Sequence, residues 1–165
     1  MKTVKSISSI DSGLLADYVL STHGPMSHLK LQKLLYLIEG YHLAYFTESL
    51  IDDEFQAWTH GPVSRKVYDS LKDKSRLYAD VGYEPASVSD PDPTILIQSQ
   101  LTDDQIDLIN EVLDLYDKES GFELEALTHA QTPWINARNG LPLGAKCENV
   151  ISKEDMKQYF SQFLN

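Results

Sequence analysis

The stretch His28-Leu29-Lys30-Leu31-Gln32-Lys33-Leu34-Leu35-Tyr36-Leu37-Ile38-Glu39-Gly40-Tyr41-His42-Leu43-Ala44-Tyr45-Phe46 decides the fold class. Leu31, Leu34, Leu35, Ile38, Tyr41, His42 and Tyr45 recur at three- and four-residue steps, which aligns them along one stripe of an α-helix. Ser27 stands ahead of them as the N-cap, so the spacing predicts a spine helix from about Ser27 to Phe46. Lys30 and Lys33 fall off the stripe and are expected to reach solvent. Gly40 either costs the helix about 1 kcal/mol or lets a neighbouring element approach closely, and close packing is the favoured reading.

Downstream, Glu54-Phe55-Gln56-Ala57-Trp58 roughly alternates polar and apolar groups and reads as a short strand running into Thr59-His60-Gly61-Pro62. Gly61 can take backbone angles closed to other residues, and Pro62 suits the first turn of a helix, where its missing N–H removes nothing. A short helix is therefore expected from that point, with Val63, Val67 and Leu71 inward. Thr94-Ile95-Leu96-Ile97-Gln98 reads as a further strand, able to pair near Phe55. Upstream, Ser9 to Ser21 is expected to form a first helix on Ile10, Leu14 and Tyr18, stopped by His23-Gly24-Pro25.

Residues 80–93 hold three prolines and few apolar groups and read as an exposed loop. Thr102 with Gln105 and Ser120 with Glu123 have capping-box spacing, which opens helices through Tyr116 and His129. After a loop at residues 139–150, Ser152 to Asp155 opens a final helix, about 152–163, bearing Met156, Tyr159, Phe160 and Phe163. The expected fold is mainly α: a compact single-domain helical bundle, 1–165, with a minor short β-hairpin or small sheet.

A chain of 165 residues, 42% of them hydrophobic, can bury a core without disulfides or metal. The single cysteine, Cys147, cannot form an internal disulfide. No run approaches the roughly 20 apolar residues that span a bilayer, and Met1 to Ser6 lacks the apolar core of a signal peptide. A soluble, cytoplasmic protein is expected. Charge is uneven: residues 80–125 hold 13 acidic side chains against Lys118 alone, a balance of −12 in a chain whose net charge is −11. Such a region repels phosphate backbones and suits either plain solvation or a basic partner.

The five histidines, His23, His28, His42, His60 and His129, fit no standard zinc spacing, and no metal site is expected. His42 beside the apolar stripe reads as a partly buried, hydrogen-bonded ring. His129 reads as a cap on the C-terminal carbonyls of its own short helix, with contact to a ligand or partner as the alternative. Neither a nucleophile elbow nor a phosphate-gripping glycine loop is present, so no catalytic residue and no cofactor are assigned. Arg65, Lys66, Lys72, Lys74 and Arg76 cluster on and after the helix that follows Pro62, but Asp69 and Asp73 interleave with them and the pI is near 4.7. Direct DNA contact is not expected.

Three blocks carry a family resemblance. They are Leu29-Lys30-Leu31-Gln32-Lys33-Leu34-Leu35-Tyr36 with Gly40-Tyr41-His42; Ala57-Trp58 and Gly61-Pro62-Val63 with Val67-Tyr68; and Leu127-Thr128-His129 with Pro133-Trp134 and Ala137-Arg138. In order and spacing the chain resembles the Panacea domain, also called SocA-like or GepA-like, with a family-like core over about 10–140. It departs from that pattern at Ile38-Glu39 and at His60. The resemblance implies a non-catalytic antitoxin that neutralises a toxin encoded beside it by occlusion in a stable complex. Some relatives act instead as adaptors that present the toxin to a protease. A DNA-binding autoregulator and a His-dependent enzyme are the rival readings. The expected partner is the cognate toxin, a homo-oligomer is also open, and no membrane contact is expected. Trp58, His60, Arg65 and Tyr68 are the expected anchors, because aromatic and arginine side chains beside a turn suit that role, while Trp58 and Tyr68 read alternatively as plain core. Lys30 and Lys33 are the second choice.

Overall fold

Eight helices and two small antiparallel sheets make up residues 6–73 and 75–164, the residues described by the computed structural model; the expectations for Met1 to Lys5 and for Lys74 lie outside them. Their order is α1 (Ser12–His23), β1 (Met26–Ser27), α2 (His28–Phe46), β2 (Phe55–Trp58), β3 (Gly61–Ser64), α3 (Arg65–Leu71), β4 (Asp80–Val81), α4 (Pro93–Gln100), α5 (Asp103–Tyr116), α6 (Gly121–His129), α7 (Thr132–Arg138) and α8 (Lys153–Ser161). β1 pairs with β4, and β2 pairs with β3 through the register Ala57↔Pro62 and Trp58↔Gly61. The fold is mainly α with minor sheet, as the sequence indicates.

Side-chain caps fix where most helices begin. Ser27 accepts from the Lys30 N–H, Ser152 from the Asp155 N–H, and full capping boxes close on Thr102/Gln105 and Ser120/Glu123. The first helix starts later than expected, at Ser12, because Asp11 caps it through the Gly13 N–H. The expected strand at 94–98 is instead the middle of α4. Asp92 caps this helix and Pro93 occupies its first turn, and these start signals outweigh the β-preference of Ile95 and Ile97. Helix α7 was not anticipated from spacing.

The spine helix α2 packs against α5, α6, α8 and β3, so it is enclosed on nearly every side rather than along one stripe. That enclosure overturns the expectation for Lys33, which is 0% exposed. At Gly40 the Phe160 ring of α8 packs directly on the backbone, since a Cβ there would run into it, and close packing is the correct reading of this glycine. Phe160 also meets Tyr36 edge-on at 5.7 Å. An ion pair of 2.5 Å between Glu39 of α2 and Lys153 of α8 ties the same two helices. Glu39 also accepts the Leu50 N–H at 2.7 Å, yet burial still raises its carboxyl above the ordinary value. His42 is buried as expected, with its Nδ1–H on the Glu48 carbonyl at 2.6 Å and Nε2 facing the Gln105 amide at 3.1 Å.

Candidate functional site

The hairpin β2–β3 leaves polar groups on both outer edges, and each edge finds partners. On the β2 side the Ala57 N–H donates to the Asn149 carbonyl at 2.8 Å, and the Ile151 N–H donates to the Phe55 carbonyl at 2.7 Å. On the β3 side the partners are side chains of α2. Gln32 accepts the Ser64 N–H at 2.9 Å and returns an amide N–H to the Ser64 carbonyl at 3.3 Å, so it stands in for a third strand. The same amide nitrogen lies 3.1 Å from His28 Nε2, and burial pushes that imidazole down to about 4. Pro62 therefore sits in β3 and not in a helix. Its ladder partner Ala57 aims its N–H outward, so the N–H that proline lacks would have faced away from β2 and no rung is lost.

Four carbonyls around the turn are gripped by four side chains from three helices. Arg138 donates to Ala57 at 3.0 Å, the Trp134 indole to Trp58 at 2.9 Å, His129 Nε2–H to Thr59 at 2.9 Å, and Lys33 to Pro62 at 3.0 Å. His129 thus caps the turn 70 residues away rather than its own helix, and it stacks on Trp134 at 4.3 Å. Arg138 extends the grip to the following loop through the Pro142, Leu143 and Ala145 carbonyls. Gly61, at φ 101°, lies directly over the Lys33 stem and the Thr128 hydroxyl, where a Cβ would come within 2.6 and 2.9 Å of them. Burial pushes the Lys33 ammonium down to about 7, with Glu125 opposing. All four gripping side chains, Lys33, His129, Trp134 and Arg138, lie in the blocks that carry the family resemblance.

Outside the clasp the turn opens on a cleft of about 450 Å³. Trp58, His60, Arg65 and Tyr68, the four expected anchors, all line it, joined by Lys146 and Glu148 from the loop before α8. Trp58 and Tyr68 meet edge-on at 4.8 Å, and the Arg65 guanidinium lies 5.8 Å from the Trp58 ring. Arg65 is also paired with Glu148 at 3.3 Å and with Asp69 at 3.4 Å, while Lys66 is paired with Asp11, so two members of the basic cluster are already matched by carboxylates. Trp58 and Tyr68 are half-buried, with one face in the cleft.

His60 has a different neighbourhood from its three companions. Its Nδ1 lies 2.6 Å from Glu125, and its Nε2 lies 3.4 Å from the Tyr78 hydroxyl. Tyr78 stacks on Phe122 at 5.4 Å, and both rings are exposed. This aromatic ridge leads to a second depression of about 340 Å³ bordered by Lys30, Tyr78 and Phe122. Lys30 is therefore on the same surface, with its ammonium on the Asp117 carbonyl at 2.6 Å, whereas Lys33 lies buried beneath the turn and does not reach the surface. Lys146, Glu148, Tyr78 and Phe122 were not found from the sequence, because no local spacing links them to the turn. Aromatic faces beside matched charges are suited to gripping another protein. Among the described residues no three His, Cys, Asp or Glu side chains come together as a metal-binding group, and no helix is long and apolar enough to cross a membrane.

Comparison with known proteins agrees with the sequence resemblance. The family model described as "Antitoxin SocA-like, Panacea domain" matches residues 31–135. Antitoxin SocA of Caulobacter vibrioides (strain NA1000 / CB15N) is 31% identical over 148 residues, covering 85% of this chain and 77% of that relative. No solved structure matches the chain.

Proposed function

Because the chain belongs to the SocA-like, Panacea-domain antitoxin family, we propose that it neutralises a toxin encoded beside it by holding that toxin in a direct protein complex. The observation that carries the contact surface is the convergence of Trp58, His60, Arg65 and Tyr68 on one cleft beside a turn that the scaffold holds rigid. Trp58 and Tyr68 already pack against each other, so their rings lose little entropy on binding, and the arginine beside them adds a directional donor. The Tyr78–Phe122 ridge extends the apolar area toward Lys30. Neutralisation is then occlusion: the toxin's working surface is covered, and the antitoxin performs no chemistry.

Co-expression with the adjacent gene under separate inducers tests this. The expected result is toxicity of the neighbour alone, rescue by this chain, and co-purification of the two proteins. Trp58→Ala is expected to weaken the complex by about 2 kcal/mol or more, roughly thirtyfold, with rescue lost. Arg65→Glu, on an exposed side chain, checks the same surface without touching the core. A harmless neighbour, or a toxic one neither bound nor rescued, removes the reading, and full binding by both variants moves the contact off the cleft.

A further inference from the structure

A second groove, of about 390 Å³, runs between α5, the end of α2 and the residues after α8, and shares no lining residue with the hairpin cleft. Its apolar walls stand open to solvent: Tyr45 is 61% exposed, Leu115 63% and Phe163 48%. Along one flank of α5, Asp104, Asp107 and Glu111 follow one another at helical spacing and line the same groove. None of the three has a cationic partner among the described residues, although Asp11, Glu39, Asp69 and Glu148 each pair with a lysine or arginine elsewhere. Three of the thirteen acidic side chains of residues 80–125 are thus set beside exposed apolar surface, and they are left unmatched there.

We propose that this groove docks a basic amphipathic helix of a partner protein. The α5 flank from Asp104 to Leu115 rises about 17 Å, three turns of helix, which fits a partner helix of similar length. Such a helix would lay its apolar stripe on Tyr45, Leu115 and Phe163 and set lysine or arginine side chains against the three carboxylates. Charge selects the partner: an acidic helix, a nucleic acid or an anionic membrane meets like-charge repulsion at the same flank. The surface is independent of the hairpin cleft, so its occupation does not require the toxin reading to hold.

The test uses two synthetic peptides of about 14 residues, each with one leucine stripe at helical spacing, flanked by lysine in one and by glutamate in the other. Binding to the full chain is followed by NMR shift perturbation and fluorescence anisotropy at low salt. The lysine peptide is expected to saturate with shifts centred on Tyr45, Leu115 and Phe163, at least about tenfold tighter than the glutamate peptide, the sum of three exposed ion pairs. The triple variant Asp104→Asn, Asp107→Asn, Glu111→Gln, altered only at exposed positions, is expected to abolish most of that preference while leaving the circular dichroism unchanged. Equal binding of the two peptides, shifts centred elsewhere, or no saturation below about 1 mM overturns the proposal. So does concentration-dependent self-association that Leu115→Asp removes, since it would assign the groove to a second copy of the chain.

Discussion

Replacing Lys33 with methionine is expected to stabilise the protein at neutral pH and to destabilise it in alkali. In the fold Lys33 titrates at about 7, against 10.5 for an ordinary lysine, because its stem and ammonium are sealed beneath the hairpin. Between those two values the unfolded chain holds the proton and the folded chain does not. The residue's contribution to stability therefore rises with pH through this window and is at its least favourable below pH 7. Each pH unit separating the two values is worth about 1.4 kcal/mol, and the buried group is half-ionised at pH 7, so burying it costs the fold about 4 kcal/mol there. Methionine fills similar volume and removes that cost, but it orphans the Pro62 carbonyl, which costs about 1–3 kcal/mol. The balance at pH 7 favours Lys33→Met by about 1–3 kcal/mol, falls to zero near about pH 9, and reverses above it. Urea unfolding of both proteins in steps from about pH 6.5 to about pH 10 reads the difference directly, since the tyrosines titrate in both. A difference that stays flat across that range, or a variant already weaker at pH 7, would refute the argument and mean that Lys33 keeps its charge through Glu125.

Three further outcomes follow from the packing. Gly40→Ala drives a methyl into the Phe160 ring and is expected to cost about 1–3 kcal/mol by thermal unfolding, with the cost largely recovered in Gly40→Ala/Phe160→Leu. Arg138→Lys keeps the charge but cannot span the Ala57, Pro142, Leu143 and Ala145 carbonyls; a loss of about 3 kcal/mol is expected, with amide exchange accelerating first in 55–58 and 142–147. Lys153→Met leaves the Glu39 carboxylate buried without its partner and is expected to cost about 3–5 kcal/mol at pH 7. Because the deficit belongs to the ionised form, it shrinks as pH falls and Glu39 takes up a proton, and Glu39→Gln added to Lys153→Met restores most of the stability at pH 7.

What could be read from the sequence follows the range of the forces involved. The starts of α2, α5, α6 and α8 were legible because a cap and its N–H lie three residues apart. Trp58, His60, Arg65 and Tyr68 were legible as a group because one turn and one helix keep neighbours in sequence near in space. Lys33 was not, since only the hairpin folding back 29 residues later buries it. Pro62 was misplaced for a similar reason: whether a proline starts a helix or sits harmlessly in a strand depends on which way the partner strand's N–H points. The composition of 94–98 suits a strand, but the helix is decided by Asp92-Pro93 just before it. Lys146 and Glu148 reach the cleft from a loop more than 80 residues beyond the turn, and nothing local announces that.

The clasp around the turn takes hold of main-chain oxygen atoms, which every amino acid brings. A hairpin gripped in that way is held chiefly through its backbone, with Gly61 and Pro62 shaping the turn. The hold on the turn is thus largely separate from what its side chains present outward. Substitutions of the Trp58 and His60 side chains are therefore expected to leave the frame of the hairpin in place, whereas the Thr59 hydroxyl, which donates to the Ala145 carbonyl, is part of that frame.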